Sequence, residues 1–207
     1  MKTEEERLEY LNKELDTDYE SLDKVNWDYI SWNLKLSEDF IREFANEVVW
    51  EYISCTQKLS EPFIREFQDY VDWDYISYYQ KLSEDFIREF QDKIDFYNIS
   101  SSQKLSEDFI REFQDYVSWE EISFHQKLSE DFIREFQNEV EWEGISQNKD
   151  LSQDFIREFQ DKLNWWYISE YHNLSKDFLR EFKHRIDWST YLNREDILDM
   201  VIDKLIN

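Results

Sequence analysis

The sequence predicts an all-α chain folded as an α-hairpin solenoid, a superhelix of two-helix repeats closed by a cap at each end. Three observations carry this. The Arg of an I-R-E-F core recurs every 23 residues, at Arg42, Arg65, Arg88, Arg111, Arg134 and Arg157, with Arg180 on the same step in a variant core. An aromatic marker keeps the same step at Trp27, Trp50, Trp73, Phe96, Trp119, Trp142, Trp165 and Trp188. The 207 residues contain one glycine (Gly144) and one proline (Pro62), too few for the turns of a β fold. A fixed short period means stacked supersecondary units, each burying its apolar face against the next.

The elements follow in order. Leu8, Leu11 and Leu15 have helical spacing, and Glu4, Glu5 and Glu6 suit the first turn of a helix through its dipole. Thr17 and Glu20 have capping-box spacing, which predicts a second short helix carrying Tyr19 and Leu22. Residues 1–24 match the repeat poorly and read as the N-terminal cap.

Residues 25–187 hold seven repeats, each with two helix starts. In the copy from Val71 to Lys93, Asp72 is an N-cap before Trp73, and Val71 stands one position outside the cap to staple onto Ile76. Ser83 is the second N-cap, with Glu84 and Asp85 in the first turn and Leu82 placed to staple onto Ile87. The spacing predicts helices over Trp73–Gln80 and Glu84–Lys93. One continuous helix fails, because 23 residues at about 100° each turn the apolar set away from any single seam. Trp119 and its equivalents are expected to be buried between neighbouring repeats. The serines at the Ser77 position read as close-packing residues between helices. Residues 188–207 form the C-terminal cap, with Ile197, Val201, Ile202 and Leu205 at helical spacing against Asp199, Asp203 and Lys204.

Composition narrows function by exclusion. With 49 acidic and 24 basic residues the net charge is -25, which repels nucleic acid and anionic membranes and attracts basic partners. One cysteine, Cys55, excludes an internal disulfide framework. No apolar run has the length of a membrane span, and the opening MKTEEERLEY lacks a signal-peptide core, so a cytoplasmic protein is expected. There is no Gly-rich phosphate loop, no Cys or His cluster and no Ser-His-Asp set, and His125, His172 and His184 fall at different repeat positions. A non-enzymatic protein without cofactor or metal is expected.

Repetition creates rows. Glu43, Glu66, Glu89, Glu112, Glu135 and Glu158 occupy one repeat position; Asp39, Asp85, Asp108, Asp131 and Asp154 occupy another, four residues earlier and interrupted by Pro62. Both rows extend to Asp177 and Glu181. Residues four apart share a helix face, and like charges there oppose helix stability slightly, a cost with no obvious structural return. Glu38, Glu61, Glu84, Glu107 and Glu130 form a third row, read as i,i+4 partners of the arginines. Packed helices lie about 8–10 Å apart and phosphates recur every ~3.4 Å of helix rise, so carboxylate rows on a rigid frame could imitate a nucleic-acid backbone. A second set of positions varies: Trp32, Tyr78, Tyr79, Phe124, His125 and Tyr171 stand just before the Gln-Lys pair or its equivalent, where a solenoid carries specific contacts.

The phrase W-x-Y-I-S-x-x-Q-K-L-S-E-D-F-I-R-E-F-Q-D, clearest from Trp73 to Asp92, resembles the uncharacterised α-helical repeats, about 23 residues long, of large DNA viruses and phages. The resemblance covers Val25 to about Trp188. It implies a viral source, a place in the cytoplasm of a bacterial or other infected cell, and a counter-defence role such as that of anti-CRISPR proteins that mimic DNA. The leading expectation is an acidic solenoid that binds a basic nucleic-acid-binding protein and blocks it, without binding nucleic acid or membrane itself. The alternative is a structural or scaffolding solenoid using its variable aromatic positions.

Overall fold

The computed structural model describes residues 2–194. Among them are sixteen α-helices, one short 3-10 turn and no strand, arranged as the helical-repeat solenoid expected from the period. The chain divides into two compact units, residues 1–103 and 104–207.

The first unit opens with α1 (Glu4–Leu15) and a 3-10 turn (Leu22–Lys24). Then come α2 (Trp27–Asn33), α3 (Glu38–Glu43), α4 (Trp50–Thr56), α5 (Glu61–Glu66), α6 (Trp73–Tyr79), α7 (Glu84–Glu89) and α8 (Phe96–Ser102). The second unit runs α9 (Glu107–Glu112), α10 (Trp119–His125), α11 (Glu130–Glu135), α12 (Trp142–Ser146), α13 (Gln153–Glu158), α14 (Trp165–Tyr171), α15 (Lys176–Glu181) and α16 (Trp188–Leu192). Within each unit the first helices of successive repeats pack on one another: α2 on α4, α4 on α6, α6 on α8; α10 on α12, α12 on α14, α14 on α16.

Caps set where each helix begins. A Thr3–Glu6 capping box starts α1, and Asp16, in the left-handed conformation at φ 53°, ends it. Thr17 caps nothing: its hydroxyl donates to Asn12 Oδ1 at 2.9 Å, and the expected second helix is reduced to the 3-10 turn. Before every second helix a serine (Ser37, Ser60, Ser83, Ser106, Ser129, Ser152, Ser175) accepts the N–H of the phenylalanine three residues on. Pro62 fits the first turn of α5, where a missing N–H costs nothing.

The second helices are shorter than predicted. They end at the glutamate, because Phe90 and its equivalents leave helical geometry (φ -112°, ψ 25° at Phe90). A turn closed by Ile94 N–H to Phe90 O at 3.1 Å then carries the chain out. Helices of six or seven residues do not hold alone, so tertiary contacts must hold them. The core supplies these contacts with a Phe-Ile pair in each second helix from α3 to α13, for example Phe86–Ile87, and one Ile in each first helix from α2 to α14, for example Ile76, all fully buried. In the last repeat α15 has Phe178 beside the half-buried Leu179, and α16 has Tyr191.

Trp119 is not buried between repeats. It is half-buried, its ring 4.8 Å from Phe136 and 6.2 Å from Phe132 within its own repeat. Its indole N–H donates to Gln114 O at 3.1 Å, and Trp50, Trp73, Trp142, Trp165 and Trp188 make the same bond five residues back. The tryptophan therefore satisfies an orphan carbonyl beyond the preceding helix, which the phenylalanine at 96 cannot do.

Polar side chains join the repeats. Ser77, fully buried, donates its hydroxyl to Trp73 O at 2.6 Å and accepts Asp95 N–H at 3.0 Å, fixing the start of the next first helix. Gln80, also buried, donates to Ser54 O and Gln57 O at 2.8 Å and accepts Leu59 N–H at 3.0 Å. Gln57 and Gln103 repeat the pattern within the first unit. The third glutamate row also acts between repeats: Glu38, Glu61, Glu107 and Glu130 accept the N–H of Ser60, Ser83, Ser129 and Ser152 at 2.6 Å. Their i,i+4 approaches to arginine are looser, at 3.4–3.9 Å.

The one glycine marks a close approach. A Cβ at Gly144 would stand 2.8 Å from the backbone carbon of Ser123, so α12 packs on α10 only with glycine there. The expected C-terminal cap is described only through Arg194; Ile197, Asp199, Val201, Ile202, Asp203, Lys204 and Leu205 lie outside the described residues.

Candidate interaction surface

The second helices carry the two carboxylate rows to solvent. In the first unit these are Asp39, Glu66, Asp85 and Glu89, whereas Glu43 is only 21% exposed, covered by Lys2 and Arg7 of the first segment; in the second, Asp108, Glu112, Asp131, Glu135, Asp154 and Glu158. The aspartate side chains are 86–95% exposed. The glutamates at 66, 89, 135 and 158 are about half that, because each accepts a guanidinium from the preceding repeat: Arg42–Glu66 and Arg65–Glu89 at 2.7 Å, Arg111–Glu135 at 2.9 Å, Arg134–Glu158 at 2.8 Å.

Keeping two like charges four residues apart therefore has a structural return that spacing alone did not disclose. Arg42 takes Asp39 at 2.9 Å through Nη1 and Glu66 at 2.7 Å through Nε, while its guanidinium carbon lies 5.0 Å from the Phe63 ring centre. The same three-way seat recurs at Arg111 (Asp108, Glu135, Phe132), Arg134 (Asp131, Glu158, Phe155) and Arg157 (Asp154, Glu181, Phe178). The bond to Glu66, above all, raises the Arg42 pKa, and Glu158 does the same for Arg134, so both stay charged. Exposed ion pairs of this kind add little stability each. Their effect is positional: each holds its carboxylates at a fixed place on the repeat.

The face remains acidic after this pairing. Three copies (Glu84/Asp85/Arg88/Glu89, Glu107/Asp108/Arg111/Glu112, Glu130/Asp131/Arg134/Glu135) set three carboxylates against one guanidinium, a net charge of -2 per copy, while in the first copy Lys2 and Arg7 offset Glu43. The seventh copy, with Lys176 in the first turn, is balanced.

The variable positions lie elsewhere, on the first helices. Trp32, Tyr78, Tyr79 and Phe124 are 54%, 49%, 56% and 41% exposed. His125 is exposed and 3.2 Å from Glu121, and Tyr171 is half-buried against Tyr167. In the first unit the neighbouring rings add to this face: Tyr29 is 54% exposed, Tyr52 meets Trp32 edge-on at 5.1 Å, and Tyr75 stands 5.9 Å from Tyr79. Tyr29 and Tyr52 were not singled out in the sequence, although the Y of W-x-Y-I-S marks their position.

Among the described residues no group of three or more His, Cys, Asp or Glu side chains is arranged to hold a metal ion, and no helix is long and apolar enough to cross a membrane. Fold and surface together define an acidic α-helical repeat protein. No family model, curated protein or solved structure matches the chain.

Proposed function

We propose that this is a non-enzymatic binding protein that uses its carboxylate rows to occupy the nucleic-acid site of a basic partner and so blocks it. The observation that supports this is the aspartate row: nearly fully exposed carboxylates, repeated at one position and braced by arginines that are themselves braced by the next repeat. Charges held in place need no ordering on binding, the quality that a mimic of a stiff polyanion requires. The resemblance to viral and phage repeats, with counter-defence as the role it implies, agrees with such a target.

The aspartates can be changed without dismantling the inter-repeat pairs. Replacing Asp39, Asp85, Asp108, Asp131 and Asp154 by Asn leaves the Arg–Glu bonds and removes five charges. In a competition assay against duplex DNA for the captured partner, the five-fold variant should lose most of its potency while its helical circular dichroism is unchanged. Undiminished competition by a folded five-fold variant contradicts the proposal.

A second reading, a scaffold that binds through aromatic side chains, is supported by the exposed rings of the first helices, Trp32, Tyr78 and Tyr79 foremost. It separates from the first by salt: an aromatic interface weakens little as screening grows.

A further inference from the structure

In the first unit α2 and α4 border an open cleft of about 430 Å³, lined by Asp28, Tyr29, Trp32, Asn33 and Tyr52. Its walls are unusual for a water-facing surface. Trp32 and Tyr29 are each 54% exposed, and Tyr52 meets Trp32 at an interplanar angle of 75°, so two rings form a corner. Neither ring has the structural duty of the repeated tryptophans: those donate five residues back, as Trp50 does to Ala45 O, whereas Trp32 lies on the outer side of α2.

The chemistry of the cleft selects one kind of occupant. Ring faces carry negative potential and attract cations, most strongly for tryptophan. Asp28 stands exposed in the first turn of α2, without an ion-pair partner among the described residues, and the exposed Glu51 precedes Tyr52 in the chain. In a protein of net charge -25 an anion is excluded. An aliphatic side chain would cover the rings but leave the carboxylate idle. A guanidinium uses both, because it is planar, stacks on aromatic faces and presents a fork of N–H donors to a carboxylate.

We infer that this cleft is a binding site for an arginine side chain, with the guanidinium stacked on Trp32, bounded by Tyr52 and Tyr29, and hydrogen-bonded to Asp28. The site deepens the proposal above by naming one side chain of a basic partner, and rests on that reading for its biological setting. Its binding chemistry needs no partner protein.

The test therefore uses small probes on the whole chain. N-acetyl-arginine amide is titrated into the ¹⁵N-labelled protein, and the indole N–H resonances are followed; that of Trp32 is assigned from Trp32→Phe. The Trp32 signal should move saturably while those of the repeated tryptophans stay still. N-acetyl-citrulline amide, uncharged and of similar shape, should produce no saturable shift. Asp28→Asn should weaken arginine binding by about fivefold or more, and Trp32→Ala should abolish the response of nearby backbone amides. Both positions are exposed, so helical circular dichroism should be unchanged. Absence of a saturable shift, an equal response to citrulline, or tighter binding of N-acetyl-trimethyl-lysine amide would each overturn the assignment to arginine. Such a failure would leave competition through the aspartate rows untouched, and failure of that competition would leave this titration untouched.

Discussion

Arg7 of α1 donates Nε to Glu43 at 3.1 Å, the bond that Arg42 makes to Glu66 at 2.7 Å one repeat later. Its guanidinium lies 4.9 Å from the ring centre of Phe44, the equivalent of Phe67, whereas Arg42 lies over Phe63, so the ring contact differs while the carboxylate partner is the same. The first helix, with no repeat signature of its own, thus supplies the side chain that a preceding repeat would have supplied. Arg7 also donates to Glu43 O and to Glu47 Oε1, both at 2.9 Å. Arg7→Ala leaves the partly buried Glu47 uncompensated and should cost about 1–3 kcal/mol in urea unfolding. Lys2→Ala, which removes a more exposed pair to Glu43, should cost less than about 0.5 kcal/mol. Arg7→Lys should recover only part of the loss, because an ammonium cannot reproduce the fork. Equal effects at Lys2 and Arg7 would mean that α1 is not anchored through this guanidinium.

Gln80 and its neighbour Lys81 make a direct comparison. Gln80→Ala would leave Leu59 N–H and the carbonyls of Ser54 and Gln57 without their partner in a buried setting. A loss of about 2–4 kcal/mol is expected, with Lys81→Ala within ~0.5 kcal/mol of the parent. Comparable losses at the two positions would remove the glutamine from its role as the join between repeats.

The glutamine position changes to Lys149 and then to His172 in the second unit. His172 is 3% exposed, hydrogen-bonds the Ser146 carbonyl in the manner of Gln80 with Ser54, and leaves Nε2 without a partner among the described residues. Burial lowers its pKa, with Arg194 acting the same way and the Ser146 bond and Asp150 opposing. The unfolded chain, with an imidazole near pKa ~6.5, therefore binds more protons than the folded one as pH falls below that value. Stability from this group is present above about pH 6.5 and is lost as pH falls toward the lowered folded value. Urea midpoints should drop between pH 7 and pH 5, and His172→Gln should flatten that part of the curve. Identical slopes in parent and variant would exclude His172 as the cause.

Much of the repeat was legible because its signals are local. Ser83 and Asp72 cap helices through neighbours two or three residues away, and Phe86, Ile87 and Ile76 declare their face by spacing alone. What spacing could not disclose were contacts 18 to 26 residues long. Gln80 and Glu61 look like ordinary surface residues in sequence, and Ser77 like a small packing residue, as its burial bears out, yet each closes a hydrogen bond to another repeat. Their constancy from copy to copy was the available signal. The tryptophan was misread for a related reason: its size suggested full burial, whereas its N–H must reach a carbonyl at the edge of the core. The second helices came out short because the run E-F-Q-D-K continues a helical pattern, while Phe90 turns inward and closes the chain over itself. The carboxylate rows are plain in the sequence as repeat positions, but their pairing with arginines of another repeat was not visible.

The central claim is that fixed carboxylates stand in for phosphates, and its most direct test is salt-dependent competition. The protein is immobilised, a lysate of the cell from which the gene comes is passed over it, and bound material is challenged with duplex DNA at about 50 and 300 mM salt. Captured protein should be released by DNA at the lower salt, and capture itself should fall steeply at the higher, where the screening length shortens. Capture that resists both DNA and salt, yet disappears when Tyr78, Tyr79 and Phe124 are replaced by alanine, would contradict mimicry and assign binding to the aromatic face.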